Sequence, residues 1–63
     1  MKNFVEMGSY YTANPYGLVR TVCRAFDHQS GDSMIAYVNI AKGGVASDVF
    51  IMPEDQFKNV FMA

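Results

Sequence analysis

Polar and turn-forming residues interrupt this chain at three places, and the mainly apolar segments between them have the length and the β-branched and aromatic content expected of strands. The first break is Asn14-Pro15-Tyr16-Gly17, which has the residue order of a type I turn. The second is the polar run His28 to Ser33, with Gly31 free to take a positive φ. Lys42-Gly43-Gly44 is the third; its paired glycines suit a hairpin turn better than a backbone anion nest. Four strands are predicted between these breaks: Gly8 to Thr12, Leu18 to Phe26, Met34 to Ala41 and Val45 to Met52. Connections this short leave no room for crossovers, so the strands should form an antiparallel meander.

The pattern changes in the stretch FIMPEDQF, residues 50–57. Pro53 cannot donate a ladder hydrogen bond, so it should stop the sheet. It also suits the first position of a helix, where Glu54 and Asp55 would complement the helix dipole. Phe57, Val60 and Phe61 then recur at helical spacing on one apolar face, with Lys58 and Asn59 toward water, predicting a short C-terminal helix. In the second strand alternation puts Val19, Thr21, Cys23 and Ala25 on a small, buried face and Leu18, Arg20, Val22, Arg24 and Phe26 on the other. The third strand is apolar on both sides, as in a strand covered twice.

Composition changes this picture by raising the question of stability. The chain has 63 residues, 51% hydrophobic and 14% aromatic but only 17% charged, with one cysteine and one histidine. A single small core offsets chain entropy only narrowly at this length. One cysteine allows no internal disulfide, and one histidine offers no recognisable zinc site, so association with another chain is the remaining source of stability. The surplus of apolar residues predicts a contiguous exposed patch, and a homo-oligomer, most simply a dimer, would cover it. A net charge of −1 argues against nucleic acid as the partner. Glu6 interrupts the apolar residues near the N-terminus and no long apolar run follows, so neither a signal peptide nor a membrane span is expected; the lone cysteine fits the cytoplasm.

Chemistry-bearing residues are sparse. Cys23 reads as a packing residue and Asp27-His28 as solvated turn residues. The acids Glu6, Asp27, Asp32, Asp48, Glu54 and Asp55 show no metal-ligand spacing and form no catalytic set, so an enzyme and a cofactor are not expected. Arg20 and Arg24, four apart on one strand, should share a face about 13 Å apart at ~3.3 Å per residue, a spacing suited to two anionic groups. Tyr10, Tyr11, Tyr16 and Tyr37 could add stacking surfaces for a nucleotide-like ligand. The simpler reading is that the arginines lie along apolar surface and pair with Asp27 or Glu6.

The runs YGLVRTVCRAFDHQSGDS, MIAYVNI and VFIMPEDQF together resemble a family of short bacterial and phage domains of unknown function with an SH3-like β-barrel. Ile35, Ala36 and Tyr37 stand where that family has a "vvY" strand, and Phe50, Ile51, Met52, Pro53 and Phe57 where it has "WVRP" and a later Phe; Met52 replaces the arginine. The resemblance implies the fold and a bacterial or phage setting, with the host cytoplasm as the compartment. Taken together, the sequence predicts one mainly-β domain over residues 1–63. It is either a small antiparallel SH3-like barrel or a curled four-stranded sheet with a short C-terminal helix. The expected role is a non-enzymatic interaction module that self-associates and binds a host or partner protein, with counter-defence a setting suggested by analogy. Alternatives are an oligomer binding an anionic small molecule through Arg20, Arg24 and the tyrosines, and an RNA-binding barrel.

Overall fold

A computed structural model describes residues 4–40 and 46–62. Strands β1 (Tyr10–Ala13), β2 (Gly17–Phe26), β3 (Ser33–Ile40) and β4 (Ala46–Pro53) are followed by helix α1 (Glu54–Phe61). The strands pair antiparallel in sequence order, β1-β2-β3-β4, so the domain is a curled four-stranded meander with a C-terminal helix. It is not an SH3-like barrel: β1 and β4 are the two edges of the sheet and do not pair with each other. A strand of four residues at one edge offers few backbone groups with which to close a barrel.

The turns follow the local chemistry with one difference. Gly31 and Gly17 both take φ of 77°, as glycine permits. The Asn14–Pro15 peptide is cis, which departs from the type I turn suggested by the residue order. The turn expected at Lys42 to Gly44 lies outside the described residues. Pro53 pairs with Met34 as the last residue of β4 and caps α1 rather than opening it, with Glu54 and Asp55 in the first helical turn.

The core lies on one side of the sheet. Val19, Ile35, Tyr37 and Met52 face α1, and Val5 and Phe57 complete a buried cluster against which Met7, Tyr11, Tyr16, Phe61 and Met62 pack. Phe57 is the centre of an aromatic group: its ring centroid is 4.5 Å from that of Phe61, 5.4 Å from Tyr11 and 5.9 Å from Tyr37. Helix periodicity delivers Phe57 and Phe61 to the sheet from successive turns, as read from the sequence. The N-terminal segment is tied down by Thr21, which is fully buried. Its Oγ1 donates to the Glu6 carbonyl at 2.5 Å and accepts from the Ser9 backbone N–H at 3.2 Å, so its hydroxyl is satisfied without water.

The other side of the sheet has no layer on it among the described residues. Residues paired across an antiparallel ladder share a face, so the registers Tyr10↔Arg20↔Val38↔Val49 and Cys23↔Ala36↔Ile51 place these side chains together on the side away from α1. β3 is central, and its Ile35, Ala36, Tyr37 and Val38 are all buried. The expectation that β3 is covered twice therefore holds on the α1 side only; on the far side, its flanking strands shield it.

Candidate functional site: an open apolar sheet face and an ion-paired helix latch

A β-bulge in β2 decides where the chemistry-bearing residues lie. Thr21 pairs with Tyr37 and Cys23 with Ala36, so Val22 is an extra residue and the alternation of β2 reverses after it. Cys23, expected among the buried small residues, is exposed on the open face. Arg20 and Arg24, expected on one face, lie on opposite faces: Arg20 pairs with Val38 and Arg24 with Ile35, three residues apart in an unbulged stretch of β3. A ligand on either face meets one of these arginines.

Arg24 is engaged on the helix side. Its Nε and Nη2 donate to Glu54 Oε1 and Oε2 at 3.2 and 3.1 Å, a bidentate pair, and Nη2 also reaches the Val5 carbonyl at 3.4 Å. Its guanidinium carbon stands 5.4 Å from the centroid of the Phe4 ring. Glu54 also accepts from Ser33 Oγ at 2.5 Å and lies 3.7 Å from Lys58 Nζ. This constellation fastens the first turn of α1 to β2, to the start of β3 and to the N-terminal segment. The partner expected for the arginines was Asp27 or Glu6; Arg24 instead uses Glu54, thirty positions away.

The latch is electrostatic, and its pH dependence follows. Hydrogen bonds from Arg24 and then Ser33 lower the Glu54 pKa from 4.5 to about 2, and the same Arg24 bond raises the arginine's pKa. The folded-state value is the depressed one, so the latch contributes fully above the unfolded pKa and is lost as pH falls from about 4.5 toward 2. With allowance for the solvent that reaches the pair, the loss is on the order of 1–2 kcal/mol. Urea unfolding of the Glu54→Gln variant checks this: its stability should change less than the parent's between pH 5 and pH 2.5.

The four tyrosines do not assemble into one stacking site. Tyr11, Tyr16 and Tyr37 pack their rings against Phe57 or Phe61, and burial, with a smaller effect of Tyr16, raises the Tyr37 pKa. Tyr10 alone points to the open face, beside Arg20. Asp27 caps its turn by accepting from the backbone N–H groups of Ser30 at 3.1 Å and Gln29 at 2.9 Å, which lower its pKa. A shallow depression lined by Asp32, Ser33, Pro53, Glu54, Asp55 and Lys58 lies beside the latch. Among the described residues no group of three or more His, Cys, Asp or Glu is placed to hold a metal ion, and no helix is long and apolar enough to cross a membrane.

Much of the sequence's apolar surplus surfaces on the open face, while Phe4, Phe26 and Phe50 are exposed on the side of α1. Tyr10, Leu18, Val22, Val49 and Ile51 are 62, 42, 44, 60 and 62% exposed. Among the described residues, Arg20 is the only charged one that the registers put there. Val49, Phe50, Ile51 and Met52 are all apolar, so nothing in the pattern marks Val49 and Ile51 as exposed, and the candidate residues named from the sequence were cations and tyrosines. Of those, Arg20 and Tyr10 belong to this face.

Compared with family models, with curated proteins and with solved structures, the chain matches none. The resemblance to the SH3-like family is thereby corrected twice over, by the open sheet and by the absence of any family match, and the bacterial or phage setting it implied goes with it.

Proposed function

We propose that this protein acts in the cytoplasm by binding rather than by catalysis, as an interaction module that self-associates and engages a partner protein through its open sheet face. The observation that carries this reading is the group Tyr10, Leu18, Val22, Val49 and Ile51, exposed on a face where, among the described residues, the registers place one charge, Arg20. Soluble domains shield such patches, and those that persist mark sites of association. The polar residues that chemistry would need serve the fold instead: Glu54 is held by Arg24 and Ser33, and Asp27 by its own turn. A free, exposed thiol suits a reducing compartment.

Nile red, an uncharged dye that brightens on apolar surface, tests the reading at protein concentrations low enough for single chains to predominate. Its emission should rise severalfold with the parent chain and lose most of that rise when Val49→Thr and Ile51→Thr are combined. Equal emission from the two proteins would remove the open face as a binding surface.

A further inference from the structure

We infer that the occupant of the open face is a second copy of this chain, the two sheets stacked face to face with full overlap. This rests on the reading of that face as a binding surface and adds the identity and the geometry of what covers it. The first argument is area. At the exposures of Tyr10, Leu18, Val22, Val49 and Ile51, these residues leave roughly 500 Å² uncovered, near the upper end for a soluble monomer. With Arg20, Cys23, Ala25 and Met34 added the face offers on the order of 700 Å², so two copies would bury about 1,400 Å², within the range of specific interfaces. Only full overlap reaches that area. Contact along the β4 edge alone would bury far less.

The second argument is charge. A partner recognised by its charge needs complementary charges on this face, and the registers place only Arg20 there. An almost uniformly apolar face is complementary to its own copy, and stacked sheets are a standard way of burying such faces, about 10 Å apart with strands near 30°. The face carries its own probe: Cys23, the chain's only thiol, is exposed near its centre, on β2 opposite Ala36. Full overlap lays β2 of one copy over β2 or β3 of the other, which brings the two thiols close together. Antiparallel pairing of two β4 edges would instead separate the β2 strands by five inter-strand gaps, roughly 24 Å.

The experiment treats the chain, at concentrations from micromolar to millimolar, with a short flexible bismaleimide and reads covalent dimer on a denaturing gel. Concentration-dependent crosslinking through Cys23 is expected, at least tenfold weaker in Ile51→Lys. Arg20→Leu, which removes the like charges that stacking confronts, should strengthen association severalfold. Labelling by a monofunctional maleimide without any crosslinked dimer would overturn the stacked arrangement, and loss of crosslinking in Arg20→Leu would mean that the guanidinium, and not the apolar face, holds the copies together, which also overturns it. Absent crosslinking with Nile red still bound removes the second copy and leaves the binding surface; absent crosslinking with no dye bound removes both.

Discussion

Phe57→Ala is expected to leave much of the protein unfolded at 25 °C. Phe57 is fully buried and its ring meets those of Tyr11, Tyr37 and Phe61, so truncation opens a cavity at the centre of the contact between α1 and the sheet. Phe→Ala in a packed core costs about 3–5 kcal/mol. At about 0.05–0.15 kcal/mol per residue, a chain of 63 residues has roughly 3–9 kcal/mol to lose. The loss is therefore comparable to the whole stability, where in a larger domain it would be a fraction. Urea unfolding followed by far-ultraviolet circular dichroism measures it, and Asn59→Ala, on the exposed side of the same helix, should stay within about 0.5 kcal/mol of the parent. A Phe57→Ala protein with near-parental stability would mean that α1 does not seal the core.

Ile51→Lys should act in the opposite sense, sparing the fold and abolishing association. Ile51 is 62% exposed on an edge strand, so a lysine there can extend into water and leave the chain's own core intact. In the stacked dimer the same position is covered, and an unpaired ammonium there costs several kcal/mol, enough to weaken association by two orders of magnitude or more. Unfolding of the dilute, single-chain form should shift little, while the concentration needed for dimer rises by at least a hundredfold. Phe57→Ala and Ile51→Lys thus separate the two faces of one sheet: the first removes stability, the second removes the partner.

What could be read from the sequence was what depends on near neighbours. The turns at Gly17 and Gly31, the strands between them, and the strand-to-helix switch at Pro53 all rest on residues a few positions apart, and all are found where expected, within a residue or two. The single face of Phe57, Val60 and Phe61 follows from helical period alone. Closure into a barrel was not legible, because it depends on whether β1 and β4, more than thirty residues apart, can meet. The bulge at Val22 was not legible either: no glycine or proline marks it, and both faces of LVRTVCRAF carry apolar residues, so a change of face leaves no trace in the pattern. That one extra residue carries Cys23 outward and Arg24 inward to Glu54, and so accounts for both misplaced side chains. The apolar surplus itself was plain from composition, but its location needed the registers that put Tyr10, Val49 and Ile51 on one face.

Sedimentation equilibrium of the unmodified chain between 10 µM and 1 mM tests the central claim most directly. Full overlap of the bare sheet faces requires the average mass to climb toward twice the 7.0 kDa of one chain and to level off there, since a twofold contact closes on itself. A mass that stays at that of one chain throughout the range would contradict it.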